Sequence, residues 1–580
     1  MPVVQQDASN LVVRADAYRL QLDTNDGTWA ELARGNAPAG RFYLPGAVDA
    51  VGTRDVTLGV AAPTVKVTDD CVRLTVRCQS SLWGTRVVKL RCYDEVIHID
   101  IRVQGEGDID TVRLFSGWTP NGPAHSSLTA DLVFTPAPTG RYSQYLPSDA
   151  SAVISASKNV GDLEAAPFFA PAPLCFCIRA SEALWLGFAA CPEPGDLTFE
   201  DYVFEGHGGF ELSLRYAGHT GVQGEWTSPA IAVVSGADEY DALEASCVWR
   251  NACGTTPCHN NGSALWWHSP IFSGWGEQMA LAAMARQPGR AADLSTQSNY
   301  EDWLAVLERN GLNPGIVVIE HKWQADYGDP WPDPAKWPDM AGFIRDQHTA
   351  GRHVVLAWKA WDTEGVPPQE HLQSINGPAA VDPTHPRYWQ RLHTTAERLM
   401  GELDADGLKI DAAHLTPRAT TAHAYNHSWG IELLRDLVAH LSDAAKSIKE
   451  DALIMAQTAD PYFANIVDMI SLNGLTPLEP SNVASAHAVL TQMTHRARVV
   501  RAACRDWLIN TDNWPNIDRA QWLSYIQRQP YLGIPSLSYA TQIDSTGEPL
   551  RPEDYAAVAQ AWKVFRRSRR LMSTGERLLR

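Results

Sequence analysis

The segment GIVVIEHKWQADYGDPWPDPAKWPDMAGFIRDQHTAGRHVVLAWKAW, residues 315–361, decides the fold class of this chain. Its apolar beginning predicts a strand over Ile316–Glu320, and its apolar end predicts a second strand over Val354–Trp358. The run MAGFIRDQHTA between them has the spacing of an amphipathic helix, and Gly351 is placed to stop that helix. The order strand, helix, strand indicates a βαβ unit, whose two strands lie parallel in one sheet.

The same alternation of strands and helices extends on both sides of this unit. Because eight strands are predicted and no GxGxxG or phosphate loop opens a helix, the pattern favours a (β/α)8 barrel over a doubly wound open sheet. We assign residues 263–580 to this barrel and its closing C-terminal helix. The predicted strands are Leu265–His268, Ile316–Glu320, Val354–Trp358, Gly407–Asp411, Leu453–Gln457, Met469–Asn473, Trp507–Thr511 and Ser536–Ala540.

The first part of the chain has a different rhythm. Residues 1–235 contain short stretches of alternating apolar and polar residues, such as DDCVRLTVRCQS, TRVVKLRCYD and EVIHIDIRVQG, without intervening helices. Such stretches, bounded by turn residues, predict an N-terminal antiparallel β-sandwich. Residues 236–262 read as a linker with a short helix. The expected architecture is therefore multidomain, β followed by α/β.

Composition excludes several classes of partner. The chain of 580 residues has a net charge of -19, which would repel nucleic acid and anionic membranes. No stretch approaches the roughly 20 apolar residues of a membrane span, and the first residues lack a signal-peptide pattern, so we expect a cytoplasmic location. Cys247, Cys253, Cys258 and His259 match no tight metal-binding spacing, so no metal site is expected there. An organic cofactor is likewise not expected. The sequence leaves a homo-oligomer open.

Polar and aromatic residues gather where the predicted barrel strands end. Barrel enzymes carry their reactive groups at the carboxyl ends of strands, so these residues are expected at one mouth. Fifteen of the 21 Trp residues follow Ser263, and Trp faces stack well on sugar rings. Both observations favour a carbohydrate site. The predicted substrate-binding residues are Lys409, Glu320, His321, Trp323, Trp358, Trp361, Asp362, His414 and Trp514.

The strand GLKIDAAH, residues 407–414, carries the strongest chemical signal. Lys409 and Asp411 are two residues apart, so both side chains project from the same face of the strand, toward the barrel lumen. A buried Lys and Asp are costly unless they pair or act on a polar ligand, and a purely structural ion pair is the alternative. Asp411, held ionised by a nearby Lys, suits the nucleophile of a retaining glycosidase, which needs a second carboxylate about 5 Å away.

Residues 315–361 resemble the α-glycosidases of clan D, which are glycoside hydrolase families 27, 31 and 36. The shared features are a strand ending in an acidic residue before a Trp, a Trp-Pro-Asp element, a helix, a Gly and a strand ending in Trp. The stretch DGLKID is similar to their nucleophile strand, which implies Asp411 as nucleophile and Lys409 as a ligand of a substrate hydroxyl. The stretch INTDNWPNID, residues 509–518, is similar to the family 36 acid/base segment and implies Asp512 as acid/base.

The chain departs from those families in several places. The Trp-x-Asp-x-Asn-Glu nucleophile motif that is usual in family 31 is absent. Families 27 and 36 present paired Asp after strand two, where Glu320 and His321 stand here. Clan D members place the acid/base after strand six, whereas Asp512 follows the predicted strand seven. The predicted strand six offers Asn473 at its end, so Asp468 and Asp460 are the other candidates for the proton donor.

The leading hypothesis is a retaining α-glycosidase that acts on an α-linked oligosaccharide or glycoside through Asp411 and Asp512, similar to an α-galactosidase or α-glucosidase. A transglycosidase would use the same residues with a sugar as acceptor. A carbohydrate-binding barrel without turnover is the alternative from a different class. A lyase or isomerase with Lys409 as base is a further alternative, but such enzymes commonly need a metal.

Overall fold

The computed structural model has an N-terminal part built of antiparallel sheets and a C-terminal part built as a parallel barrel. This arrangement confirms the predicted fold class. The structure describes residues 1–35, 37–128, 132–136, 145–147, 153–155, 169–206, 209–259, 262–374, 379–418, 422–472, 486–512, 518–543 and 546–573.

Two large antiparallel sheets make up the N-terminal part. Their buried faces contribute to one hydrophobic core, as the alternation of apolar and polar residues predicts. The six-stranded sheet contains Val3–Gln6, Asn10–Arg14, Arg19–Asp23, Trp29–Arg34, Ala37–Tyr43 and Ser127–Leu128. The 14-stranded sheet contains Ala47–Ala50, Thr57–Val60, Thr64–Val67, Val72–Ser80, Thr85–Cys92, Ile97–Leu114, Leu132–Phe134, Tyr145–Pro147, Val153–Ser155, Cys175–Ser181, Leu184–Cys191, Asp201–Glu205, Glu211–Thr227 and Ala230–Gly236. Ser116–Thr119 and Gly122–His125 form a separate hairpin.

Eight parallel strands form the barrel. They are β1 (Ile271–Ser273), β2 (Ile316–Ile319), β3 (His353–Lys359), β4 (Gly407–Asp411), β5 (Leu453–Ala456), β6 (Met469–Ser471), β7 (Leu508–Asn510) and β8 (Ser536–Leu537). They pair in the order 7-6-5-4-3-2-1-8, and a parallel bridge between Asn510 and Ile534 joins the two ends of this sheet. The barrel is therefore closed.

One predicted strand is wrong. Leu265–His268 forms a 3-10 helix, and the first barrel strand begins six residues later at Ile271. In a strand, Leu265 and Trp267 would share a face, yet Leu265 is exposed while Trp267 packs among the apolar residues at the floor of the barrel. The indole N–H of Trp267 donates to the carbonyl of Asp451, which holds this turn against the floor.

Helices surround the barrel everywhere except between β5 and β6, where residues 457–468 contain a single 3-10 turn, Pro461–Phe463. The described helices are α1 (Glu239–Ala252), α2 (Trp275–Met284), α3 (Gln297–Arg309), α4 (Met340–Thr349), α5 (Pro386–Ala396), α6 (Gly430–Ile448), α7 (Ala486–Ala503), α8 (Arg519–Leu532) and α9 (Pro552–Ser573). Shorter elements are Pro288–Leu294, Pro368–Glu370 and Ala413–Leu415, a π-helix at Glu397–Glu402, and the two-stranded pair Gln373–Ser374 with Ala422–His423. Among the described helices, none has the length and hydropathy to cross a membrane.

The N-terminal part packs on the barrel where that helix is missing. The N–H of Ala170 donates to the carbonyl of Gln457 at 2.9 Å, and the N–H of Leu174 donates to the carboxylate of Asp460 at 2.9 Å. Arg250 of α1 makes two hydrogen bonds to the same carboxylate, at 2.7 and 2.8 Å, and both side chains are buried. A buried, bidentate ion pair of this kind is costly to break, so it holds the two parts of the chain together.

The strand period explains which side chains reach the mouth. Alternate residues of the strands pack together in the lower lumen, among them Ile316 and Val318 of β2 and Leu453 and Met455 of β5. The next inward side chain, two positions further along the chain, is Glu320 after β2 and Gln457 after β5. In the same way, alternate residues bring Lys409 and Asp411 of β4 and Asp512 after β7 to the inward face. The upper layer of the lumen is therefore polar, above an apolar floor.

Candidate active site

A single ammonium group lies at the centre of the upper lumen. Lys409 Nζ lies 2.7 Å from Glu320 Oε1, 3.5 Å from Asp411 Oδ2 and 3.8 Å from Asp512 Oδ2. These carboxylates come from the ends of strands two, four and seven. Burial opposes the charge on Lys409, but the surrounding carboxylates outweigh burial and hold its pKa above the usual range. Lys409 therefore remains an ammonium ion throughout the neutral pH range.

Glu320 holds Lys409 in place. Its side chain is only 1% exposed, and its Oε1 accepts hydrogen bonds from Ser273 Oγ at 2.6 Å and from Lys409. Its backbone N–H donates to the hydroxyl of Tyr300 at 2.8 Å. The Glu320 carboxylate is enclosed in this way, and its predicted contact with substrate stays a prediction.

Asp411 is fixed at both carboxylate oxygens. His321 Nε2 lies 3.1 Å from Oδ2, and Gln457 Nε2 donates to Oδ1 at 3.1 Å. Burial disfavours the charge of Asp411, but Lys409 and the hydrogen bond from His321 outweigh it, so the pKa of Asp411 lies below its ordinary range. Asp411 is therefore ionised and oriented, as a nucleophilic carboxylate must be.

Asp512 is the second carboxylate at the mouth. It follows β7, and its backbone N–H donates to Asn510 Oδ1 at 3.1 Å. Because Asp411 and Asp512 both approach Lys409 Nζ, their nearer oxygens are at most about 7 Å apart. This limit is compatible with the separation of roughly 5 Å between the carboxyl groups of retaining glycosidases, and it overlaps the roughly 6.5–9.5 Å range of inverting ones.

The two other candidate proton donors lie elsewhere. Asp468 precedes β6, so it is at the opposite end of the barrel from Asp411, and its carboxylate binds Lys446 Nζ at 2.7 Å. Asp460 is buried against Arg250 at the contact with the N-terminal part. Neither carboxylate can reach a glycosidic oxygen at Asp411, so Asp512 remains the candidate acid/base.

The aromatic residues predicted at the mouth are mostly enclosed. Trp323 has no exposed surface, and its indole N–H donates to the carbonyl of Ala357 at 2.9 Å, so we place it in the wall and not on the sugar-binding surface. Trp358 and Trp361 are 3% and 4% exposed. Asp362 accepts a hydrogen bond from Lys359 Nζ at 2.6 Å. The side chains of His414, Asn473 and Trp514 fall outside the described part of the structure.

Backbone strain marks the mouth. Lys322, Trp361 and Ala412 have φ values of 67°, 68° and 65°, and they follow β2, β3 and β4 within three residues. Non-glycine residues in this left-handed region cost about 1–3 kcal/mol each and collect at functional sites. Three consecutive strands therefore end in strained turns beside Lys409 and Asp411.

Four site residues were not predicted as such. Gln457 contacts Asp411, Ser273 contacts Glu320, and the rings of Trp275 and Tyr327 lie 5.8 and 6.2 Å from the ring of His321. Gln457 and Ser273 lie on the inward faces of β5 and β1, two residues after Met455 and Ile271. The alternation of side chains along each strand could therefore have predicted both. Trp275 and Tyr327 lie beyond strand ends, where no period applies.

Two groups of described side chains have the spacing of metal ligands: Glu320, His321 and Asp411 at the mouth, and His348, His353 and Asp406 at the opposite end. A Lys ammonium already serves as the cation in each. Lys409 Nζ binds Glu320, and Lys449 Nζ lies 3.0 Å from Asp406 Oδ1. The first group therefore suits a site that works through an amine and carboxylates.

No family model and no curated protein matches this sequence. Solved structures do match it. A family 31 sulfoquinovosidase from E. rectale, in complex with an aza-sugar inhibitor, has a TM-score of 0.60 at 11% identity, over 99% of this chain and 84% of that one. An α-galactosidase from Lactobacillus brevis has a TM-score of 0.51 at 10% identity, over 98% and 84%. A family 97 glycoside hydrolase from Pseudoalteromonas sp., in complex with panose, has a TM-score of 0.53 at 12% identity, over 97% and 82%.

At these identities the likeness establishes the fold. The chain has the architecture of glycoside hydrolases of families 31 and 97, with the N-terminal sheets and the barrel both covered. The resemblance to clan D is thereby confirmed at the level of the fold. The fold alone does not determine the reaction, since this barrel hosts many reactions.

Proposed function

We propose that this protein is a retaining α-glycosidase that acts on an α-linked oligosaccharide or glycoside, with Asp411 as nucleophile and Asp512 as acid/base. The observation that carries the proposal is the arrangement of these two carboxylates around Lys409 at the carboxyl end of the barrel. The structures of similar fold support the substrate class, since they include a sulfoquinovosidase, an α-galactosidase and a family 97 enzyme in complex with panose.

The first step forms a bond between Asp411 and the sugar. The Asp411 carboxylate attacks the anomeric carbon while Asp512 gives its proton to the glycosidic oxygen, and the bond between carbon and this oxygen breaks. The aglycone leaves as an alcohol, and the sugar remains as an ester on Asp411. Lys409 and the donors His321 and Gln457 orient the carboxylate for this attack.

The second step releases the sugar. The Asp512 carboxylate now accepts a proton from water, whose oxygen attacks the anomeric carbon and breaks the ester. The configuration at the anomeric carbon is thus inverted twice and retained overall. When the acceptor is a sugar hydroxyl in place of water, the same residues carry out transglycosylation.

The proposal assigns different tasks to the parts of the chain. Residues 263–580 carry the chemistry, residues 1–235 form the supporting N-terminal domain, and residues 236–262 link the two. Support for this division comes from Asp460, which lies three residues beyond Gln457 and accepts hydrogen bonds from the N–H of Leu174 in the N-terminal domain and from Arg250 in the linker. Both parts thereby steady the loop that carries a hydrogen-bond donor to the proposed nucleophile.

The experiment is hydrolysis of a panel of aryl α- and β-glycosides by the wild type, Asp411→Ala and Asp512→Ala. We expect turnover of at least one α-glycoside and its loss in Asp411→Ala. Azide should restore release of the phenol, and the sugar should then appear as the β-glycosyl azide. Asp512→Ala should lose far more rate on substrates with poor leaving groups than on activated aryl glycosides, because only the former need protonation. Lys449→Met, at the other end of the barrel, is the control and should retain activity.

Two results would count against the proposal. Full activity in Asp411→Ala would remove the nucleophile assignment. A wild type that binds a sugar without hydrolysing or transferring any panel member would favour the carbohydrate-binding alternative, and sugar-dependent shifts of the melting temperature would identify it.

A further inference from the structure

A second cleft opens on the same face of the barrel as Asp411, outside the ring of strands. It has a volume of about 510 Å³. The loops before α5 and α6 form two of its sides, and both loops follow barrel strands, which places them at the carboxyl end. The third side is the loop around Gly195 and Thr198 of the N-terminal part.

Hydrogen bonds between the three sides hold this cleft open. The N–H of Tyr425 donates to Asp382 Oδ2 at 2.7 Å, which ties the loop before α6 to the loop before α5. The N–H of Glu432 donates to the carbonyl of Leu197 at 3.1 Å, which ties α6 to the N-terminal part. Gly430 fits this contact closely, since its φ is 59° and an added Cβ would stand 2.5 Å from a carbonyl oxygen. The cleft is therefore preformed.

The cleft joins the proposed active site through a short run of backbone contacts. The N–H of Ala360 donates to the carbonyl of Asp411 at 2.9 Å. The next residue, Trp361, accepts at its carbonyl from the N–H of Val381 at 3.4 Å, and Asp382 follows directly. The cleft thus lies one loop outward from the nucleophile.

An aromatic platform and hydrogen-bonding groups both line this cleft. Trp389 is 45% exposed, and the ring of His393 packs edge-on against it at 4.6 Å. Glu432 and Asp436 also line the cleft, one turn apart on α6, and burial raises the pKa of both. Asn426 adds an amide that both donates and accepts.

The charge of the cleft selects among ligands. Its described lining contains two carboxylates and neither Lys nor Arg, so it repels phosphate, sulfate and carboxylate groups. Burial lowers the pKa of His440, so this ring is neutral at neutral pH. A flat aromatic face beside carboxylate and amide acceptors fits a neutral ring that carries hydroxyl donors.

We propose that this cleft is a carbohydrate subsite, in which Trp389 stacks on a neutral sugar residue and Asp436 accepts its hydroxyl protons. The proposal rests on the proposed function only in its choice of sugar as the ligand. It implies that the protein holds an oligosaccharide at a second point, away from the residues that cleave it.

The experiment measures binding, so it does not depend on turnover. The probes are maltooligosaccharides and isomaltooligosaccharides of two to seven glucose units, titrated by calorimetry and by saturation-transfer NMR against the wild type, Trp389→Ala and Asp436→Asn. Loss of the stacking surface should weaken binding of the longer probes roughly three- to tenfold. An aryl glycoside carries only one sugar residue, so we expect its turnover to stay at the wild-type rate in Trp389→Ala.

The matched control is Trp331→Ala. Trp331 is also 45% exposed, but the guanidinium of Arg398 covers its ring at 3.9 Å. Wild-type affinity in this variant, with weaker binding in Trp389→Ala and Asp436→Asn, would support the subsite. An equal loss in Trp331→Ala, no binding of any probe by the wild type, or Ca²⁺ binding that Asp436→Asn removes would each overturn it. Failure to hydrolyse aryl glycosides would count against the proposed function alone.

Discussion

Replacing Lys409 with Met tests the electrostatic logic of the whole site. The ammonium group lies within 4 Å of three carboxylates, at 2.7, 3.5 and 3.8 Å, and its side chain is 8% exposed. Met has a similar length and fills the same space, so the substitution removes the charge and little of the packing. Removing one partner of a buried ion pair costs about 3–5 kcal/mol, because the charges left behind have no compensation.

The loss in free energy of unfolding of Lys409→Met should depend on pH. The direction of this dependence follows from the pKa of Asp411. In the wild type this pKa lies below the unfolded value of about 3.9, so the ionised form contributes stability that is present at neutral pH and lost in acid. Without Lys409, burial dominates and the pKa of folded Asp411 rises above 3.9. The variant then loses about 1.4 kcal/mol for each unit of that rise as the pH increases from 4 through the new pKa.

Urea denaturation at pH 4, 5, 6, 7 and 8 measures this difference. The gap in free energy of unfolding between wild type and Lys409→Met should widen from pH 4 to pH 8, and the acid limb of kcat/KM should move to higher pH by about 1–3 units. Lys409 itself does not titrate in this window, since its pKa is raised.

Lys449→Met is the matched control. Lys449 also bridges two carboxylates, those of Asp404 and Asp406, at 2.7 and 3.0 Å, but at the opposite end of the barrel. It should lose stability and keep the wild-type pH profile of activity. A gap for Lys409→Met that stays constant from pH 4 to pH 8, or an unmoved acid limb, would refute the electrostatic reasoning.

Three further predictions test the parts around this centre. Gln457→Ala should lower kcat about tenfold with little change in KM, because Asp411 loses an orienting donor, and steady-state kinetics on the best aryl glycoside would show this; an unchanged kcat contradicts it. Asp460→Ala should lower the free energy of unfolding by about 3–5 kcal/mol in urea, because Arg250 is left buried and unpaired; a loss below about 1 kcal/mol means that the contact is incidental. Gly430→Ala should lower the free energy of unfolding by about 1–3 kcal/mol and thereby lower the melting temperature. The reason is that the φ of residue 430 is 59° and a carbonyl oxygen stands 2.5 Å from the new Cβ. An unchanged melting temperature would contradict this strain.

The strand period predicted the barrel better than it predicted single elements. The predicted bounds of β4 agree with the structure, and those of β2 and β5 differ by one residue. The prediction failed at Leu265–His268, because an apolar run of four residues does not distinguish a strand from a turn that plugs the barrel floor. Short runs are decided by what they pack against, and that information is not local.

The roles of the aromatic residues were harder to predict than their positions. Trp323 stands after β2 as expected, yet its indole donates to a carbonyl of the next strand and its faces are enclosed. Stacking on a sugar requires an exposed face, and exposure depends on the loops that fold over a strand end. By contrast, Trp389 is half-exposed, and the sequence places it inside a helix and not at a strand end.

The position of the Lys409 ammonium group among three carboxylates could not be predicted from any one strand. Lys409 and Asp411 are two residues apart, so their common face was visible in the sequence. Glu320 and Asp512 lie 89 and 103 residues from Lys409, and only closure of the barrel brings strands two, four and seven around one lumen. The long side chain of Lys409 then reaches the axis, where carboxylates from different strands can approach one ammonium group. This geometry explains how Asp512 can follow strand seven and still approach the same ammonium group as Asp411 on strand four. In the proposed mechanism, the proton donor therefore needs an inward carboxylate close to the nucleophile, and its strand number matters less than this distance.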